Sequence, residues 1–127
     1  DYTWIDKDKK SYNKLLDFKE KHNLQVLNLH CQSIGELSWG SYRENGYDLA
    51  LMLKIVPVIF RQEKLLFNLL ANIPANTYII TGSKEAMVKK KNIEDRENSV
   101  IQRFIGLTGK EVKRKFEIEN EFGYVIS

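Results

Sequence analysis

LALMLKIVPVIF, residues 49–60, is the longest apolar run in the chain, and its reading decides the fold. Leucine and alanine up to Lys54 favour a helix, whereas Ile55, Val56, Val58 and Ile59 favour a strand. Pro57 forbids a continuous regular element of either kind without a kink or an edge position. The run is shorter than the roughly 20 apolar residues that a membrane-spanning helix needs, and Lys54 and Pro57 interrupt it. We read a helix from Tyr47 to about Val56. A second helix over residues 61–72 collects Leu65, Leu66, Leu69 and Leu70 on one face, and Ile73-Pro74 ends it.

Outward from this run the patterns are clearer. Residues 6–21 read as a helix that Asp6 can cap. LQVLNLHC, residues 24–31, alternates as a strand does. TYIIT, residues 77–81, is a short β-branched strand, and GYVIS, residues 123–127, is a terminal one. Residues 93–105 form a helix with Ile93, Val100, Ile101, Phe104 and Ile105 on its buried side. Tyr2, Trp4 and Ile5 suit either a strand docked on a sheet or an exposed patch. The expected architecture is α+β, with four or five helices packed on a small sheet of two to four strands. The chain has 127 residues, 43% hydrophobic and 29% charged, enough to bury roughly two-thirds of its unfolded surface. It reads as one compact domain, and its start at Asp1 is compatible with a piece of a longer chain.

The formal net charge is only +3, but its distribution is uneven. Residues 84–115 hold ten basic and five acidic residues, and residues 116–127 hold three acids and no base. A positive segment of this kind attracts polyanions. Its densest parts are AMVKKK, residues 86–91, and LTGKEVKRKF, residues 107–116. In the latter, Gly106 can end the preceding helix. Thr108 and Glu111 have the spacing of a capping box that starts another helix, with Val112 and Phe116 on its inner face.

This segment resembles the helix-turn-helix superfamily in its Ile101-to-Val112 spacing, with Gly106 at the turn. The resemblance covers about 20 residues and implies a second helix that enters the major groove of DNA. The sequence departs from the pattern at Gln102, where a small residue is usual, and at Lys115, where an apolar one is. Those departures move the expectation from base reading to phosphate contact by Lys89, Lys90, Lys91, Arg103, Lys110, Lys113 and Arg114. The bland alternative is a charged, solvated corner between two helices.

Catalytic signatures are sparse. His22, His30 and Cys31 are the only soft ligands, and His30 and Cys31 point to opposite sides of a strand. Cys31 reads as a small buried hydrophobe, and a lone cysteine suits an intracellular compartment. There is no phosphate-binding glycine loop, no H-E-x-x-H and no nucleophile elbow. No catalytic residue, metal or cofactor is therefore indicated. SWGSYRENGY, residues 38–47, presents Trp39, Tyr42, Arg43 and Tyr47, residue types that anchor protein interfaces. The leading expectation is a nucleic-acid-binding regulatory or accessory protein, with DNA slightly ahead of RNA. The alternatives are a non-catalytic protein-interaction module (inhibitor, adaptor or immunity-type) and, third, a small metal-dependent nuclease in which Asp48 and Glu63 are the best-shielded acids. The oligomeric state stays open.

Overall fold

The computed structural model describes residues 2–25, 27–31, 46–62, 64–84 and 93–127, the side chains of 64 and 65 excepted. The chain divides into two compact units, Asp1–Ser38 and Trp39–Ser127. Among the described residues they hold four helices and two small sheets, one of two strands and one of four. The α+β class expected from the sequence is the class observed.

The first unit is strand β1 (Tyr2–Asp6), helix α1 (Lys9–Lys21) and strand β2 (Leu27–Cys31). The strands are parallel, in register from Tyr2 opposite Leu27 to Asp6 opposite Cys31, so the connection between them must cross over, and α1 is that crossover. The helix starts three residues later than expected. Asp8 is its N-cap, accepting from the Lys10 amide at 3.1 Å and from the Ser11 hydroxyl at 2.6 Å. The Ser11 hydroxyl, with the Lys10 amide second, holds the Asp8 carboxyl below the usual range. Asp6 instead accepts from the Asp8 amide at 3.1 Å, which shapes the turn between strand and helix. Trp4 lies in β1 and stacks on Tyr12 of α1, ring centroids 6.4 Å apart. Of the two readings of this N-terminal stretch, the strand is the one observed.

The second unit contains strand β3 (Tyr47–Leu53), helices α2 (Ile55–Gln62) and α3 (Lys64–Ala71), strand β4 (Ala75–Ser83), helix α4 (Ile93–Thr108) and the hairpin β5 (Val112–Ile118) and β6 (Glu121–Ile126). The sheet order is β3-β4-β6-β5. β3 and β4 are parallel and joined through α2 and α3, while β6 runs antiparallel to both β4 and β5.

Two expectations about this unit are overturned. The helix expected over 47–56 is a strand as far as Leu53, and the helix begins at Ile55. Residues 49–53 follow period two: Met52 is 2% exposed, whereas Leu51, on the opposite face, is 60% exposed. Pairing with β4 outweighs the helical preference of leucine and alanine, which amounts to only tenths of a kcal/mol per residue. Pro57 falls inside the first turn of α2, where its missing N–H forfeits no helical hydrogen bond.

The second correction concerns LTGKEVKRKF. The helix α4 continues through Gly106 to Thr108, and Gly109, with φ +69°, is the left-handed residue that stops it. Thr108 caps a C-terminus rather than opening a new helix: its hydroxyl donates to the Ile105 carbonyl at 2.7 Å and accepts from the Lys110 amide at 3.1 Å. Residues 112–118 then form a strand. The helix-turn-helix expectation is therefore replaced by a helix, a turn and a β-hairpin. The deciding contact is long-range: Phe116 lies opposite Gly123, and a Cβ there would run into the Phe116 ring and approach the Ile80 carbonyl to 2.9 Å. A glycine inside a strand often marks such a close approach.

The core lies between one face of this sheet and the three helices. Met52, Tyr78, Ile80, Phe122, Tyr124 and Ile126 face Val56, Ile59, Phe67, Leu70, Ile101, Phe104 and Ile105, all buried. Tyr78 is buried with its hydroxyl donating to the Ile73 carbonyl and, at 3.3 Å, to that of Ala71. Burial pushes its pKa up to about 12. A raised phenol pKa means that the stabilisation is complete below the ordinary value of about 10 and is lost as pH rises through about 12. In an ultraviolet tyrosinate titration, one tyrosine should ionise only near the upper limit, together with unfolding, and Tyr78→Phe should abolish that late step.

Candidate functional site at the carboxyl ends of β3 and β4

In an open α/β sheet, ligands bind beyond the carboxyl ends of the parallel strands. In the second unit those ends are Leu53-Lys54 on β3 and Thr81-Gly82-Ser83 on β4, with Leu53 in register with Thr81. The start of β6 reaches the same edge, because Glu121 pairs with Ser83. Six polar side chains cluster there: Lys54, Thr81, Glu97, Glu117 and Glu121, with Lys84 just beyond β4.

Thr81 is the hub. Its hydroxyl oxygen accepts from the Lys54 amide at 3.0 Å and its proton goes to Glu121 Oε1 at 3.2 Å. The same Oε1 lies 3.9 Å from Lys54 Nζ. Lys54 has φ 59°, a left-handed conformation that residues with a Cβ adopt at a cost. Below this edge, Gly82 lets α4 approach: a Cβ there would meet Phe122 at 2.8 Å and Ile101 at 3.0 Å. The approach brings Glu97 of α4, only 6% exposed, to accept from the Ser83 amide at 2.9 Å. Lys84 turns to Glu117 at 2.7 Å. That hydrogen bond raises the lysine's pKa and lowers the glutamate's, but an exposed pair of this kind adds little stability. The edge thus combines an ordered ammonium, a hydroxyl and carboxylate acceptors. Among the described residues no group of three or more His, Cys, Asp or Glu could hold a metal ion.

The first unit has its own carboxyl edge, where Asp6 of β1 lies opposite Cys31 of β2. Cys31 is exposed rather than buried, its thiol 3.8 Å from the Lys7 carbonyl. This corrects the expectation of a small core residue, because the last position of a short strand leaves the core.

The residues singled out from the sequence fall elsewhere. Lys89, Lys90 and Lys91, with Trp39, Tyr42, Arg43 and Glu63, lie outside the described residues. Tyr47 opens β3, its amide donating to the Pro74 carbonyl at 2.6 Å. Asp48 is exposed on the same strand. Arg103 lies on α4 with its guanidinium 5.6 Å from the centre of the Phe60 ring. Lys110 sits 5.0 Å over the Tyr78 ring and donates to the Asn76 carbonyl at 3.1 Å. Lys113 pairs with Glu111 at 3.4 Å, and Arg114 follows a register shift in β5. Arg114, level with Ile79 through Val125, lies near the middle of β4, and Lys110, on the Asn76 carbonyl, lies at its amino end; they sit on a strand and a turn rather than on a helix. At about 3.3 Å per residue, that end lies about 15 Å from the Lys54 edge. Lys54, Thr81, Glu97 and Glu121 were missed from the sequence, where the available signals were a lysine inside an apolar run and Thr-Gly-Ser closing a strand.

No protein-family model matches the sequence, and neither does any curated protein. Solved structures do match. The 16S rRNA methylase ArmA superposes at TM-score 0.70 with 17% identity, over 98% of this chain and 60% of that one. A SAM-dependent methyltransferase from Aquifex aeolicus gives 0.70 at 16%, over 98% and 66%. An rRNA methylase from Escherichia coli gives 0.69 at 16%, over 98% and 47%, so the chain spans about half the length of that protein. The likeness shows a fold shared with these proteins. It overturns the expectation of a DNA-binding regulatory or accessory protein, and with it the interaction-module and nuclease alternatives. No motif singled out in the sequence pointed to this fold. Among the described residues no helix is long and apolar enough to cross a membrane.

Proposed function

We propose that this chain is part of an enzyme that transfers a methyl group from S-adenosylmethionine to RNA. The observation that carries the reading is the ordered polar edge at the carboxyl ends of β3 and β4, on a fold shared with rRNA methylases. S-adenosylmethionine supplies an electrophilic methyl on a sulfonium. A nucleophilic atom of an RNA base forms the new bond to carbon as the sulfur–carbon bond breaks, and neutral S-adenosylhomocysteine leaves. The protein's part is to orient the two partners and exclude water.

Asp6 fits the ribose of such a donor. It ends a parallel strand and is exposed, and a carboxylate at that place can accept from ribose hydroxyls, as the acidic residue of dinucleotide-binding folds does. Lys110, Lys113 and Arg114, together with Lys89, Lys90, Lys91 and Arg103, are the proposed contacts to RNA phosphates. They would add affinity without sequence preference.

Calorimetric titration with S-adenosylhomocysteine, and transfer of labelled methyl groups to ribosomal RNA, test the reading. Binding and transfer are both expected. Asp6→Ala should weaken S-adenosylhomocysteine about tenfold to a hundredfold, the value of a hydrogen bond to a charged group. A protein that neither binds S-adenosylhomocysteine nor transfers a methyl group would sink the proposal.

A further inference from the structure

Three described non-glycine residues have positive φ: Asn23, Lys54 and Glu119. Asn23 is of a type that tolerates the conformation, and Glu119 sits in the turn of the β5–β6 hairpin. Lys54 has neither excuse. It occupies the junction of β3 and α2, where glycine or asparagine would be less strained. Strain that persists at a ligand-binding edge points to a side chain needed there.

The surroundings say what that side chain is prepared for. The Lys54 amide is held by Thr81 at 3.0 Å, Thr81 is held by Glu121 at 3.2 Å, and Glu121 returns to the Lys54 ammonium at 3.9 Å. One carboxylate oxygen thus orients both the backbone support and the charged tip. The lysine side chain remains 54% exposed and Glu121 36%, so the pair is open to solvent and contributes little to stability. An ammonium that is positioned yet accessible is suited to meeting an anion.

We infer that Lys54 binds a phosphate of the RNA nucleotide presented for methylation, with Thr81 and Glu121 as its positioning residues; the inference rests on the RNA-methyltransferase reading. The methyl donor is itself a cation at sulfur, so a lysine ammonium is better suited to the anionic backbone of the substrate than to the reacting end of the donor. Lysine binds phosphate as a point charge with rotatable donors, which tolerates the 3.9 Å tether to Glu121.

Lys54→Asn is the informative variant, because asparagine accepts the left-handed backbone while removing the ammonium. Fluorescence anisotropy with a single-stranded RNA oligonucleotide across a salt series should show weaker binding. The log–log slope should be shallower by about 0.7, the signature of one lost phosphate contact. Affinity for S-adenosylhomocysteine should be unchanged and the KM for RNA should rise more than kcat falls. Lys54→Arg should restore most of the slope, which a merely structural role would not predict. Thr81→Val should lower RNA affinity while leaving the slope close to wild type. If the wild type binds both ligands and Lys54→Asn leaves RNA affinity and slope unaltered, or weakens S-adenosylhomocysteine equally, this inference fails and the methyltransferase reading stands. If the wild type binds neither, the reading itself fails, and this inference with it.

Discussion

Phe104→Ala is expected to lower the unfolding free energy by about 3–5 kcal/mol, the usual cost of emptying a buried phenylalanine site. Phe104 is fully buried on α4. Its ring meets Phe67 of α3 edge-on at 5.3 Å and Tyr78 of β4 at 6.4 Å. It stands where two helices and the sheet converge, so none of the three can close the cavity without giving up other contacts. Natural domains have only about 5–15 kcal/mol in hand, and the variant should approach the folding threshold. Urea denaturation followed by tryptophan-independent far-ultraviolet circular dichroism measures it. The midpoint should fall with the slope preserved, whereas Phe18→Ala, on the exposed side of α1, should stay within about 0.5 kcal/mol of wild type. A loss below about 1 kcal/mol for Phe104→Ala would contradict the packing of α4 on the sheet, since even modest core truncations cost more.

The same helix shows what could be read from the chain alone. Ile101, Phe104 and Ile105 recur at helical spacing, and all three are buried. TYIIT and GYVIS are short and β-branched or aromatic; the first lies in β4 and the second, as far as Ile126, in β6. The failures come where local preference and tertiary pairing disagree. YDLALML looks helical by composition but is held by its register with β4. VKRKFEI follows an apparent capping box, yet Phe116 pairs across to Gly123. The candidate site was less legible still. Its central hydrogen bonds link residues 27 and 40 positions apart, and Lys54 gains meaning only once the strand order places it at a carboxyl edge. The basic residues were conspicuous because they are adjacent in sequence, which is a property of composition and not of a site.

Glu97→Ala should cost about 1–3 kcal/mol, because it leaves the Ser83 amide without its acceptor at a half-buried position. Glu97 is 6% exposed and accepts that amide at 2.9 Å. Glu97→Gln keeps a carbonyl oxygen of the same reach and should cost less. The comparison separates a hydrogen bond from a charge. If the two variants are equally damaging, the negative charge of Glu97 matters in itself, and its contact with Ser83 is incidental. The consequence should also be local. Ser83 lies two residues beyond Thr81, so a released Ser83 amide loosens the end of β4 from which Thr81 reaches Lys54 and Glu121. Amide hydrogen exchange at Ser83 should therefore accelerate in Glu97→Ala and remain slow in Glu97→Gln. RNA affinity should fall in the first variant more than thermal stability alone explains. A variant that lost stability but kept slow exchange at Ser83 would show that Glu97 braces α4 and leaves the carboxyl edge untouched.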